Sequence, residues 1–412
     1  MQVQGEERRK VREQIVTKRS IALGILAIAV IVAAALAIPK KNKPEAASKD
    51  SSSSYWSKGY LKPCGEVVVK EEPERIITWN HNANDMLEIF GYGDRVVASG
   101  FDKSFYYGFY KQLEPYGFKW EVRKEKGNLK FFKRGAVVPF DKEFLYALDA
   151  GLHHIDPVKL SKTKGWSEED VKEISENVGP FFDDTSVLYS ASADRPETTF
   201  EDLTMAYFKL YKQEEKGEKL LSFIHFFENS LKEKIHSLDY RPRVAIVLWK
   251  GQGMTKVGIN SGITHHQYKV LEVVDAFAGN EKEVMSDEDK HAFGHLDFEG
   301  LLAIDKKSGI DVIIMPYVIY TFENDNHVMA KPFEQLLALK DDPICKQISA
   351  FKNSRIYPGA VLMQGPIFYC FQLEMAAKQC YPELFGEYKK DNSYTEEEKL
   401  FSREELAKIV LQ

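Results

Sequence analysis

Apolar and polar positions repeat on several different periods along this chain, and each change of period marks a part. Ile21–Ile38 is an unbroken run of 18 residues with no charge or strongly polar group, just long enough to cross a bilayer core. The next stretch, Lys40–Ser54, reverses the pattern with Lys, Asp and a serine run at 51–54, and predicts a flexible tether. From Glu66 onward, blocks of strand length alternate with helical spacings. Glu66–Val69, Arg75–Trp79 and Arg95–Ser99 predict strands. Between the last two, Asn80–Asn84 is a polar turn, and Asp85–Phe90 is a short helix stopped at Gly91. Strand–helix–strand at this tempo is a βαβ unit and implies a parallel sheet. Residues 101–135 are aromatic, basic and irregular. Ser167–Asp170 then predicts a capping box for a helix reaching Asn177, broken by Gly179-Pro180, with Phe181–Tyr189 as a closing strand.

Thr199–His236 contains no Pro and only Gly217, and its apolar residues keep a near-helical spacing. It predicts one long helix or two consecutive ones. Val244–Trp249 reads as a strand that opens a second half, followed by a helix over Gln267–Phe277 and, near the end, one over Pro366–Tyr381.

The two halves share a phrase. Asp141-Lys-Glu143-Phe-Leu145-Tyr-Ala147-Leu-Asp149, then Gly151–Ile155, is echoed by Asp297-Phe-Glu299-Gly-Leu301-Leu-Ala303-Ile-Asp305, then Gly309–Ile313, at an offset of 156. Each copy has a Glu, a short helix apolar at Leu and Ala positions, an acidic stop, a Gly turn and an apolar strand. A helix-to-strand unit repeated once per half predicts two similar α/β lobes facing one another, with a ligand between them.

Charge excludes one class of partner. Residues 1–37 hold six cations and three anions, a sum of +3, so a chain of net charge −6 leaves −9 on the remainder. A nucleic-acid binder needs a basic face to displace counterions from phosphate. The cations ahead of the apolar run mark the cytoplasmic side, which puts the chain from Pro39 onward outside the cell. The run is a transmembrane anchor, or a signal core cut after Ala37, since Ala35-Leu-Ala37 has the small-x-small pattern of a cleavage site. The four cysteines (Cys64, Cys345, Cys370, Cys380) show no CxxC spacing and read as small buried hydrophobes.

In this order the segments resemble the substrate-binding proteins of ABC importers for iron-siderophores, haem and cobalamin, over about residues 65–385. The resemblance rests on Arg75–Val97 with its Gly91-Tyr-Gly-Asp94-Arg-Val-Val turn, Glu173–Phe182, Ala350-Phe-Lys-Asn-Ser-Arg355-Ile-Tyr357 and Tyr381-Pro-Glu-Leu-Phe385. It implies an α/β fold of two Rossmann-like lobes with parallel sheets joined by one long helix, after an N-terminal transmembrane or signal helix. The implied boundaries are 1–20 basic segment, 21–38 anchor, 39–54 linker, 55–196 first lobe, 197–239 linker helix and 240–412 second lobe. It also implies no enzymatic activity, a metal-chelate ligand, and a permease with its ATPase as partners. By the same resemblance Glu143 and Glu299 pair with permease arginines. An exposed carboxylate in a helix's first turn is favoured by the dipole and available to a guanidinium. The enlarged aromatic segment 101–140 and the His-rich turns after the linker depart from the family pattern.

Ligands of parallel sheets bind at the carboxyl ends of the strands. That rule selects Asn80 and His81 after the first strand, Tyr106 and Tyr107 after the third, Trp166, and in the second half Trp249, His265 and Tyr317. Aromatics suit a large flat chelate. An iron chelate is the leading cargo, with haem or cobalamin as alternatives on the same fold. His265-His266 and the pair His291 and His295 leave open a free zinc or manganese receptor. No GxSxG or HExxH motif points to a hydrolase.

Overall fold

Two sheets, each parallel at its centre, carry the two halves of the chain. The computed structural model describes residues 58–59, 67–68, 72–78, 81–99, 107–119, 130–131, 142–154, 167–179, 200–249, 254–257, 262–279, 293–316, 330–359, 365–390 and 393–412. All of them fall in one contact unit, 54–412. The apolar run Ile21–Ile38 lies outside the described residues. No described helix is long and apolar enough to cross a membrane.

Strands β1 (Lys58–Gly59) and β2 (Val67–Val68) form a small antiparallel pair. The first sheet runs β5-β4-β3-β6, from β3 (Ile76–Thr78), β4 (Val96–Ser99), β5 (Lys130–Phe131) and β6 (Leu152–His154), every pairing parallel. Helix α1 (His81–Ile89) links β3 to β4 as the βαβ pattern requires, but starts at His81, inside the stretch read as a polar turn. Gly91 ends it at a φ of 70°, where an L side chain is disfavoured. Helix α2 (Lys142–Leu148) leads into β6. Helix α3 (Glu168–Asn177) has the expected capping box: the Ser167 hydroxyl accepts from Asp170 N–H, and the Asp170 carboxylate accepts from Ser167 N–H at 2.8 Å.

The midpoint is two helices, α4 (Phe200–Leu210) and α5 (Glu214–Ile235). The 22 residues of α5 give it a length of about 33 Å, and it is the long helix of the pair. The break falls at Tyr211–Gln213, where Lys212 takes a φ of 52°. A Cβ on Gly217 would meet the Phe208 ring at 2.6 Å, so the end of α4 and the start of α5 touch where only a hydrogen fits. Apolar spacing runs through the break because both helices cover the same core.

The second sheet is built on β7 (Arg243–Trp249), with β8 (Met254–Val257) antiparallel and β9 (Val274–Asp275) parallel to it. It continues through β10 (Phe293–Leu296), β11 (Val312–Met315) and β12 (Ile356–Pro358) in the order β10-β8-β7-β11-β12. Helix α6 covers Gly262–Val270, not Gln267–Phe277. Glu272 at a φ of 53° ends the helical course, and Val274 passes into the ladder beside Arg243. His295 lies in strand β10, so the i,i+4 relation to His291 is not a helical face, and His291 itself is outside the described residues. Helices α7 (Phe298–Ser308), α8 (Ala330–Ala338), α9 (Pro366–Cys380) and α10 (Arg403–Leu411) complete the fold. Cys345, Cys370 and Cys380 are buried free thiols, as the spacing suggests.

Side chains of β7 and β11 alternate between two cores. Val244, Ile246, Val312 and Ile314 join a core with Ile76 and Leu152 of the first sheet, Leu87 of α1, Ile224 of α5, Phe368 of α9 and Val410 of α10. Ala245, Val247, Ile313 and Met315 face the other way, against Leu301 and Ile304 of α7, Leu336 and Phe351. A sheet buried on both faces needs apolar residues at every position, which is why these strands read as unbroken runs. The first core spans both sheets, so the two halves are packed together as well as tethered.

Candidate functional site

The repeated phrase folds into the same unit twice: α2 into β6, and α7 into β11. A helix that precedes a parallel strand runs back along the sheet, so its first turn stands at the carboxyl ends of the strands. Glu143 and Glu299 occupy those first turns. Both are exposed and neither makes an ion pair with a described residue. Asp297 caps α7 by accepting from Gly300 N–H at 2.7 Å. In α2 the neighbouring Lys142 is bound to Asp170 and, at 2.9 Å, to Glu173, while Tyr146 donates to Glu173 at 3.2 Å. Those carboxylates, Asp170 first, raise the Lys142 ammonium above its ordinary range. Lys142 is thereby committed to α3, and among the described residues Glu143 has no ion-pair partner.

The predicted ligand contacts divide. Asn80, Tyr106, Trp166 and Tyr317 lie outside the described residues. His81 opens α1, Tyr107 opens a helical turn at Tyr107–Tyr110, and His265 sits inside α6, not in a turn before a helix, and follows the antiparallel strand β8. Trp249 ends β7 half-buried, its ring 5.1 Å from that of Phe298 beside Glu299. This places the indole against the second core. Among the described residues no group of three or more His, Cys, Asp or Glu side chains is arranged to hold a metal ion.

Among the described residues the buried polar centres that escaped the sequence reading include three besides the buried Arg403–Glu374 pair. The first is at the start of α9, where the N-cap residue Gly365 has no side chain to offer. Asp85 of α1 takes its place, accepting from Ile367 N–H at 3.0 Å and from the Tyr110 hydroxyl at 2.5 Å. The second is Glu228 of α5, which accepts from the Tyr369 hydroxyl at 2.7 Å and lies 2.8 Å from His266 Nε2 of α6. Burial pushes this carboxyl up, but the His266 and Tyr369 contacts outweigh it and hold it below the usual range. The third is His154 at the end of β6, fully buried, with Nε2 2.7 Å from the Tyr211 hydroxyl and its ring stacked on Tyr207. Burial, then the adjacent His153, pushes it down to about 3, so it is a neutral imidazole. A Gly-Pro helix start with no capping side chain was the one available signal for the first centre. Nothing in local sequence marks the other two.

No family model matches the chain, and no curated protein does. Solved structures do. A periplasmic binding protein from Veillonella parvula superposes with a TM-score of 0.55 at 18% identity, over 76% of this chain and 93% of its own. An ABC-type Fe3+-hydroxamate transport system from Saccharomonospora viridis gives 0.52 at 15%, over 77% and 97%. A Helicobacter pylori protein with Ni(II) bound gives 0.51 at 15%, over 80% and 90%. At such identities the likeness is one of architecture: this chain has the periplasmic binding protein fold.

Proposed function

We propose that this chain is the extracytoplasmic substrate-binding component of an ABC importer, capturing an iron chelate of siderophore type and delivering it to a permease with its ATPase. The observation that carries the reading is the duplicated dock. Two helix-to-strand units, one per sheet, each present an exposed glutamate, without an ion pair among the described residues, in the first turn at the carboxyl edge of their strands. A single enzyme site has no need of that symmetry, whereas a carrier that must meet two membrane subunits does. The fold is shared with binding proteins, and one neighbour belongs to a Fe3+-hydroxamate transport system.

On this reading the chelate is held by Asn80, Tyr106, Trp166 and Tyr317 together with His81, Tyr107 and His265. The core shared by the two sheets resists hinge bending, so capture uses a largely preformed cleft. Ile21–Ile38 tethers the protein to the outer face of the cell membrane, with 39–54 as its leash.

The test is a titration of the full chain with ferric hydroxamate and catecholate siderophores, haem, cobalamin and divalent zinc, manganese and nickel, followed by tryptophan fluorescence. Saturable quenching by a ferric siderophore is expected. Saturation by haem or cobalamin alone changes the cargo within the same function, and saturation by a bare divalent ion makes the chain a metal receptor. No response to any of them removes the chelate reading.

A further inference from the structure

The outer face of α5 carries one exposed aromatic, Phe226, set in a row of residues at helical spacing and covered by no described residue. Ser222, Phe223, Phe226, Phe227 and Ser230 recur at helical i, i+3 and i+4 spacing. Phe223 and Phe227 turn into the core, but Phe226 is 75% exposed. This row floors two adjoining hollows of about 570 and 370 Å3, walled on the far side by Glu405, Ile409 and the turn before α10. Both serines spend their hydroxyls on their own helix, Ser222 to Glu218 O at 2.8 Å and Ser230 to Phe227 O at 2.7 Å. The floor therefore asks for apolar contact, not hydrogen bonds.

The rim has a sign. Glu215 is paired with Lys219 at 2.9 Å, and Glu396 with Lys399 at 2.5 Å. Glu218 and Glu405 make no ion pair with a described residue, so the groove keeps an acidic excess at both walls. A second copy of the chain would set that excess against itself, and an anionic membrane would be repelled. The occupant that complements both floor and rim is a helix with an apolar stripe flanked by Lys or Arg, lying along α5 over about three turns.

We propose that the α5–α10 groove is a docking site for a cationic amphipathic helix of a partner protein. None of the residues assigned to the cleft or to the glutamate dock lies in it, so this inference stands or falls apart from the transport reading. Phe226 is the anchor, and Glu218 and Glu405 select the charge.

The test uses the full chain and a labelled four-turn peptide of leucine and lysine, with leucines at i, i+3, i+4 and i+7, read by fluorescence anisotropy. A twin peptide with glutamate for every lysine is the control. The lysine peptide should bind and its affinity should fall with salt, while the glutamate twin should not bind. Phe226→Ser should weaken binding roughly tenfold or more, and Glu218→Lys with Glu405→Lys should abolish it. All three substitutions fall at exposed positions, and unchanged melting temperatures confirm that both variants fold. Equal binding of both peptides, no binding of either, or undiminished binding by Phe226→Ser overturns the proposal. Self-association in sedimentation that Phe226→Ser removes also overturns it, because a second copy then fills the groove.

Discussion

Asp85, in the second turn of α1, accepts from the backbone N–H of Ile367, 282 residues further along the chain. It gives α9 the cap that Gly365 lacks, and it joins an element of the first half to one at the end of the second. Gly365 is obligatory there, since a Cβ would stand 2.1 Å from the Asp85 carboxylate. Replacing Asp85 by Ala deprives two buried donors, Ile367 N–H and the Tyr110 hydroxyl, of their acceptor. The expected loss is about 2–4 kcal/mol in a urea titration. Gly365→Ala should lose a similar amount by expelling the carboxylate. A loss below about 1 kcal/mol in Asp85→Ala would mean that this cap does not couple the halves.

Gly217 gives a second stability prediction in which two effects oppose. Ala is favoured over Gly inside a helix by about 1 kcal/mol. The new methyl group would meet three Phe208 atoms at 2.6–2.9 Å, where overpacking costs about 1–3 kcal/mol. The contact wins if Phe208, fully buried between α4 and α5, cannot turn away. Gly217→Ala should therefore be net destabilising by about 1 kcal/mol. A stabilised variant would show that the junction yields.

Much of this architecture was legible because its causes are local. The capping box at Ser167, the stop at Gly91 and the unbroken apolar runs of β7 and β11 each reflect a backbone or burial demand met within a few residues. The duplicated phrase was legible for the same reason, since both copies solve one packing problem. The α4–α5 break was half legible: Gly217 was visible, but its need arises from Phe208 across a turn whose left-handed residue is a lysine. The course of α6 was misjudged because Val270, Val273 and Val274 suit helix spacing and strand pairing alike, and the edge of β7 decided between them. Asp85, Glu228 and His154 were invisible because each has partners 25 to 282 residues away. The predicted cleft residues were chosen by a rule about strand ends, which fixes where a backbone lies and not what a side chain touches.

The two glutamates should act on transport and leave capture alone. Glu143→Ala and Glu299→Ala each remove one exposed carboxylate from a helix start without breaking an ion pair to a described residue. In proteoliposomes holding the permease and ATPase, each single change should lower chelate-stimulated ATP hydrolysis roughly tenfold, as loss of one charge-assisted pair does. The double change should lower it further, with chelate affinity unchanged throughout. Full stimulation by the double variant would sink the docking role.

Glu228 sets an acid limit on stability. Its folded-state pKa lies below the ordinary 4.5, so its contribution is present above that value and is lost as pH falls through the lowered one. Glu228→Gln keeps one acceptor for Tyr369 or His266 but does not titrate. Its stability should be lower than wild type at neutral pH, and the gap should close below pH 4.5. Denaturant titrations over the acid range check this, and a gap that stays constant contradicts it.

His154 acts in a higher window, with the same proton balance: its folded-state pKa is lowered too. The unfolded chain binds a proton on this imidazole below about 6.5, while the folded chain, where burial holds it near 3, does not. Acidification through that interval therefore favours the unfolded chain, by about 1.4 kcal/mol per pH unit. His154→Phe keeps a ring to stack on Tyr207 and abolishes the titration, though the Tyr211 hydroxyl loses its partner at a cost of about 1 kcal/mol. The variant should be the less stable protein at pH 7, and its stability should fall less steeply than wild type between pH 6.5 and 5. That interval lies above the Glu228 window, so the difference in slope belongs to His154. Equal slopes in the two proteins would mean that the buried imidazole takes up its proton without unfolding, through an opening of the α4–β6 contact.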